Sequence, residues 1–336
     1  MRAGKLPPEL LRELLRDLPV DERVLVRPGV GRDAAAVEFG DRFLILTADP
    51  VSFTAERAGW YAVQISANDV ACLGGEPRWF LATVLAPPDT EEAELRTLVA
   101  DIGRACTEVG AVPVGGHTEI SEAVTQLVVA GAMVGEATPE RLVRGDAVRE
   151  GDVIVQVGQI AIEGTALLAR EAAPRLAAAG VARASVDAAA ALLFDPGISV
   201  LSMARVLWEL PGLHALHDPT EGGIATGCWE LGEAAGLGAI MEKAALQVHP
   251  LTRELSAALG VDPIGLLASG ALLASIDATD AAAAVTALQG AGFEARPIGR
   301  LGPRGGPGIL VQEDGTEMPL PRFDQDEVVR VLSHGR

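Results

Sequence analysis

The sequence predicts an α+β fold of two domains, and three observations carry that prediction. The chain has 336 residues, a length that ordinary domain sizes divide into two separate cores. Apolar residues make up 49% and charged residues 22% of it, a globular composition. Helix-period segments alternate with short strand-like runs, several of them suited to antiparallel pairing, on both sides of a charged stretch at 138–151 where the apolar pattern lapses.

Residues 8–18 place Leu10, Leu11, Leu14, Leu15 and Leu18 on one side of a short amphipathic helix. Residues 34–37 and 43–46 read as strands joined by a turn at Gly40-Asp41. Residues 60–73 read as a helix stopped by Gly74-Gly75, and 78–85 return to strand before Pro87-Pro88. Thr90 suits an N-cap, with Glu91 and Glu92 in the first turn of a helix running to Val109. Residues 112–116 and 124–134 are two further strands. Beyond the charged stretch the same grammar returns. A strand at 152–157 precedes helices at 164–170, 172–194 and 199–209, and then a helix at 220–236 that opens in glycines. Strands at 266–276, 293–300 and 309–312 follow. The two domains are accordingly placed at 1–140 and 147–336.

The chain carries 46 Asp and Glu against 27 Lys and Arg, a net charge of −19, and its only lysines are Lys5 and Lys243. That balance excludes a general nucleic-acid binder, which needs a basic face, and electrostatic attachment to anionic lipid. No G-x-x-x-x-G-K-[ST] motif exists. A polyphosphate ligand would have to be reached through a divalent metal on carboxylates and through backbone N–H groups at helix starts. Cys72, Cys106 and Cys228 are too widely spaced for a C-x-x-C metal site and read as buried free thiols of a reducing compartment. The first twenty residues lack the apolar run of a signal peptide, and the weakly polar stretch at 264–276 is too short for a bilayer. The expectation is a cytoplasmic protein with neither membrane nor nucleic acid as partner. Trp60, Trp79, Trp208 and Trp229 fall on helix or strand faces and read as core.

Five segments interrupt apolar elements with acidic residues or glycines: Gly31-Arg32-Asp33-Ala34-Ala35, Thr47-Ala48-Asp49-Pro50, Ser66-Ala67-Asn68-Asp69-Val70, Gly115-Gly116-His117-Thr118-Glu119 and His217-Asp218-Pro219-Thr220-Glu221-Gly222-Gly223. A carboxylate at the end of an apolar strand is costly to desolvate unless it is paired or ligates a metal. Asp33 and Asp49 also suit turns, Asn68-Asp69 a solvated helix edge, and Thr220 an N-cap. Gly115-Gly116 follow a strand and would let backbone approach a ligand, or simply mark a turn. Gly222-Gly223 open a helix whose N–H groups suit an anion. His117 is the histidine inside such a cluster, either structural or catalytic. No G-x-S-x-G and no Cys–His pairing point to covalent catalysis.

The order of these segments resembles the aminoimidazole ribonucleotide (AIR) synthase superfamily. It is most similar there to the hydrogenase-maturation factor HypE and to AIR-synthase-related proteins. Gly31 to Ala35 matches the family's G-D-D-A-A. Asn68-Asp69-Val70-Ala71 with Gly74-Gly75-Glu76-Pro77 matches N-D-x-A-x-x-G-A-x-P. Gly115-Gly116-His117-Thr118 matches G-G-[DHE]-T, and Asp218 to Gly223 matches D-P-T-R-G-G. The resemblance runs from about Val24 to Gly299. It implies a PurM-like two-domain architecture, with the N-terminal sheet pairing across a homodimer to form a barrel and a C-terminal α/β domain beside it. It also implies ATP and Mg²⁺, with Asp33, Asp49 and Asp69 as metal ligands. Asn68, Gly115, Gly116, His117 and Thr118 would line the phosphates, and Asp218 with Thr220, Gly222 and Gly223 would face the γ-phosphate or a second substrate. Asp69, His117 and Asp218 are then the catalytic candidates. The implied reaction is ATP-dependent activation or phosphorylation of an unidentified acceptor.

Departures from the family pattern are specific. Arg32 replaces the first aspartate and Glu221 the arginine. Ala161-Ile162-Glu163-Gly164 stand where HypE has G-D-H-G, and Ala268-Ser269-Gly270 stand where it has N-E-G. No cysteine follows Cys228, so the cyanide-forming chemistry of HypE is not expected. The alternatives are a thiamine-monophosphate-kinase-like enzyme and a nucleotide-binding hydrogenase-maturation accessory protein that acts through a maturation-protein partner.

Overall fold

The structure, a computed structural model, describes residues 5–52, 54, 56–323 and 325–333. His334 and the tail beyond it lie outside the described residues. The chain forms two compact units. One comprises Val20–Pro28 and Asp33–Leu142; the other comprises the chain up to Pro19, Gly29–Arg32 and Val143–Arg336. The N-terminal segment, placed with the first domain by sequence, therefore groups with the second. Its helix α1 (Pro8–Leu15) buries no residue, and Lys5 and Arg12 hold it by ion pairs to Glu230 and Glu233.

The first unit is a sheet covered on one face by helices. Its strands are β1 (Val24–Val26), β2 (Ala35–Phe39), β3 (Arg42–Val51), β4 (Glu76–Ala86), β5 (Val112–Ile120) and β6 (Val128–Ala137), with α2 (Ala58–Cys72) and α3 (Glu92–Val109) between them. The sheet order is β1-β2-β3-β6-β4-β5, antiparallel except for the β4–β5 pair, which α3 connects in parallel. Ile45, Phe80, Val129 and Met133 are fully buried on the helix side. Helix α2 is buried on nearly all sides because the sheet lies under it and α3 over it. At Gly59 an added Cβ would strike Leu98 and Ile102 of α3; at Gly135 it would strike Val70 of α2. Strand alternation turns Leu46, Trp79 and Leu81 to the opposite face, where each stays more than a third exposed. Trp79 is thus not core, unlike Trp60 and Trp208.

The second unit holds seven strands in the order β13-β12-β9-β11-β7-β10-β8. They are β7 (Val153–Val157), β8 (Leu213–His217), β9 (Leu237–Glu242), β10 (Leu272–Ile276), β11 (Ala295–Arg304), β12 (Ile309–Val311) and β13 (Glu317–Pro319). All pairs are antiparallel except β9–β12. Its helices are α4 (Ile162–Glu171), α5 (Ala173–Ala178), α6 (Arg183–Ala191), α7 (Leu201–Trp208), α8 (Gly223–Glu233), α9 (Pro250–Leu259), α10 (Ala281–Gly290) and α11 (Glu327–Ser333). Strand β10 is buried throughout. A helical core of Ala169, Leu176, Val186, Ala189 and Leu255 joins α4, α5, α6 and α9. The alanine-rich run expected as one helix over 172–194 is two, because Gly180 at φ +86° ends the first. Residues 266–271 form a loop rather than the start of a strand. The apolar stretch Arg183–Trp208 has the length to cross a bilayer, but Asp195 breaks it with φ −144°, ψ 105°.

Candidate functional site

In the first unit, the Thr47 hydroxyl of β3 bridges the Asp69 carboxylate of α2 and the Asp33 backbone carbonyl. Along β3, Ile45, Thr47, Asp49 and Val51 share the helix-facing side. Thr47 Oγ1 lies 2.6 Å from Asp69 Oδ2 and 3.2 Å from the Asp33 carbonyl oxygen. Asp69 is 6% exposed and the neighbouring Asn68 is fully buried, so neither is a solvated helix edge. Asp49 lies two residues along the same face, opposite Gly131 of β6. Asp33, Asp49 and Asp69 supply hard oxygens from different elements, the donor type that Mg²⁺ takes, but the three carboxylates do not form one close group among the described residues. Within 4.8 Å of the Asp33 carboxylate, Cys72 Sγ adds a soft atom that magnesium does not use.

The glycine motif is placed differently from its expectation. Gly115 and Gly116 do not follow a strand; they lie inside β5, where all nine residues are exposed. Gly116 sits at φ +146°, and a Cβ there would come within 2.0 Å of the Ala82 carbonyl oxygen. The register shift between Phe80 and Leu81 produces this close approach of β4. His117 and Thr118 pair with Thr83 and Val84. The His117 side chain is 70% exposed, 3.9 Å from Glu119. Because β5 is the sheet edge, with β4 and β6 between it and β3, the unit by itself does not bring His117 to the Thr47–Asp69 group.

In the second unit, the other expected motif forms a loop before α8. The helix begins at Gly223, not at Thr220. Gly222 is its N-cap at φ +83°, and Thr220 instead accepts the Gly223 N–H in a turn. Asp218 is 2% exposed. Gly223 is required by packing, since a Cβ would meet the carbonyl oxygens of Ile264 and Leu266 at 2.4 and 2.8 Å. The Gly222 N–H donates to Asp326 Oδ2 at 2.9 Å, while Asp326 Oδ1 accepts from Val328 N–H. Burial pushes the Asp326 carboxyl up to about 6, against these backbone donors. Beneath the loop, His217 Nε2 and Glu230 Oε2 are 3.1 Å apart and Lys5 Nζ reaches Glu230 Oε1 at 3.3 Å. Burial would raise the Glu230 pKa, but His217 and Lys5 hold it at about 2.

Two contributors escaped sequence reasoning. Thr47 is an ordinary strand residue by pattern. Asp326 looked like part of a polar tail, although an aspartate just before the apolar run of α11 is an N-cap pattern. The three cysteines are buried as expected, and burial pushes the Cys106 and Cys228 thiols up to about 11 and 12. A second close group, Asp152, His214 and Asp277, has a structural explanation. Asp152 Oδ2 accepts from Ser275 Oγ and Arg149 N–H and contacts His214 Nδ1, tying together β7, β8 and β10.

Comparison with known proteins matches residues 31–137 to the AIR synthase related protein N-terminal domain and residues 149–312 to its C-terminal domain. The carbamoyl dehydratase HypE of Rhodobacter capsulatus is 31% identical over 273 residues, covering 80% of this chain and 75% of the relative. That of Cupriavidus necator is 28% identical over 306 residues, covering 89% and 83%. The hydrogenase maturation protein HypE solved in complex with ATP superposes with a TM-score of 0.72 at 24% identity, covering 88% of this chain and 90% of that one. A ThiL complexed with AMPPCP and TMP superposes at 0.70 with 21% identity, covering 94% of each.

Proposed function

Since the chain belongs to the AIR synthase related family and shares the PurM-like α+β fold of HypE structures, we propose that it is an ATP- and Mg²⁺-dependent enzyme that activates or phosphorylates an acceptor. One observation carries the proposal: the Thr47 hydroxyl joins the buried Asp69 carboxylate to the Asp33 backbone carbonyl on the buried side of β3, with Asp49 on the same face. Carboxylates so placed are what a chain without a P-loop lysine needs to receive a metal-bound polyphosphate. Asp33, Asp49 and Asp69 would hold the metal, which would supply neutralisation of phosphate charge, and Thr47 would orient Asp69. The names of the relatives and the nucleotides in the ThiL and HypE structures support this reading. Asp218 and the Gly222–Gly223 helix start serve the acceptor side.

Homodimerisation belongs to the same proposal. The exposed edge strand β5, with Gly115, Gly116, His117 and Thr118, and the open face bearing Leu46, Trp79 and Leu81 are apolar or motif-bearing surfaces that a second copy would cover. His117 would then meet a phosphate site completed by the partner.

ATP hydrolysis by the purified protein tests the enzyme claim. We expect Mg²⁺-dependent turnover that falls by about two orders of magnitude in Asp69→Asn, with the folded state retained. Nucleotide binding without turnover, with or without added acceptors, would instead favour an accessory protein of hydrogenase maturation.

A further inference from the structure

Helix α1 buries no residue, so apolar packing does not account for the place of the N-terminal segment on the second unit. Its polar contacts run to α8 and to the loop before it. Lys5 Nζ is 3.3 Å from Glu230 Oε1 and 4.0 Å from Glu221 Oε2, and Arg12 pairs with Glu233. Glu9 reaches Arg322 at 4.0 Å, and that guanidinium lies 4.5 Å over the Trp229 ring of α8. Gly31 is seated on the same helix, where an added Cβ would come within 2.6 Å of the Glu230 carbonyl oxygen.

These pairs differ in kind. Arg12–Glu233 and Glu9–Arg322 join side chains that are each at least a quarter exposed, and such pairs contribute little and are screened by salt. The Glu230 side chain is only 9% exposed, and a carboxylate at that depth needs a compensating charge. His217 Nε2 meets its Oε2 at 3.1 Å, and Lys5 takes the other oxygen.

The loop that follows His217 is crowded with acidic groups. Asp218 is buried, and Asp326 Oδ2 accepts the Gly222 N–H. Burial pushes the neighbouring Glu163 carboxyl up to about 8; Ser269 opposes the shift, and Glu221 and Asp326 add to it. Arg12 and Arg322 are turned to Glu233, Glu9 and Trp229. Lys5 instead contacts one carboxylate of the loop, Glu221, and the buried one of the helix, Glu230. Through Glu230 it also bears on His217, the residue before Asp218.

We propose that Lys5 is a positioning residue: its ammonium is the shared counter-ion of Glu221 and Glu230, and it fixes the segment from His217 to Gly223 that serves the acceptor side. That last role rests on the ATP-dependent reaction proposed above; the clamp on the loop does not depend on turnover.

Hydrogen exchange read by mass spectrometry on the full chain, without nucleotide, tests the clamp. Lys5→Met is expected to speed exchange of the amides at 217–223 at least tenfold, with the buried strand β10 unchanged as the control for folding. Lys5→Arg, which keeps the charge, is expected to stay within about twofold of wild type. In a Glu230→Gln background, where the buried charge is gone, Lys5→Met is expected to add less than threefold. Trypsin cleavage after Arg12 and Arg16 reports α1 separately and is expected to quicken in Lys5→Met. Release of α1 with the 217–223 amides unchanged overturns the proposal, because Lys5 is then a tether alone. Exchange that Lys5→Met leaves unaltered, or that Lys5→Arg raises as much as Lys5→Met, overturns it too. Absence of ATP hydrolysis with the expected exchange pattern sinks the reaction and leaves the clamp standing.

Discussion

At Asp69, a carboxylate that is 6% exposed keeps a hydroxyl at 2.6 Å. A hydrogen bond to a charged group contributes about 1.5–3 kcal/mol, so Thr47→Val, which keeps the shape and removes the hydroxyl, is expected to lower stability by that amount in urea unfolding. It is also expected to weaken Mg²⁺-nucleotide binding, because Asp69 loses its orientation. Glu163 gives a pH prediction. Its pKa is about 8 in the folded state and about 4.3 unfolded. The folded state therefore keeps a proton that the unfolded chain releases. Its stabilising contribution is complete below about pH 4 and declines as pH rises to about 8, with a slope of at most about 1.4 kcal/mol per pH unit. Thermal melts across that range should show wild type losing stability relative to Glu163→Gln as pH rises; parallel curves would contradict it. That Asp69 would need a partner was legible in sequence, because a carboxylate inside an apolar run is costly to desolvate alone, and it is buried against the Thr47 hydroxyl. Thr47 and Asp326 were not, since their importance lies in which neighbour they touch, and spacing carries no such information.

Among the elements, β5 most departs from local expectation. A glycine pair signals a turn when read alone, yet here it continues a strand, because β4 approaches so closely that Gly116 leaves no space for a Cβ. Gly116→Ala combines that clash with an unfavourable φ and is expected to cost about 2 kcal/mol or more, visible as a lower melting temperature and as faster hydrogen exchange in β5. Gly115→Ala, whose added Cβ finds its nearest contact at 3.9 Å, is expected to have little effect by comparison. The helices followed their apolar period well where one face meets a core, as in α3. The period failed over 172–194, where alanine favours helix everywhere and the stop depends on Gly180. It failed again at Gly222–Gly223, where packing against the Ile264–Leu266 carbonyls, rather than a Thr220 cap, sets the helix start.

For the whole molecule, the family match spans both units, and with a net charge of −19 the proposed polyphosphate would have to be reached through a metal. The open face of the first sheet sets the expected assembly. Trp79 and Leu81 of β4 lie exposed beside the exposed edge β5, with Leu46 of β3 also exposed, and Trp79→Glu is expected to convert a homodimer to monomer in analytical ultracentrifugation without unfolding the unit; a wild type that is already monomeric at micromolar concentration contradicts this. Metal-dependent nucleotide binding remains the central claim, and calorimetric titration of AMPPCP tests it most directly. We expect wild type to bind with Mg²⁺ and to lose that binding when EDTA removes the metal or when Asp69→Asn removes the ligand. Equal affinity in all three conditions, or none in the first, would contradict it.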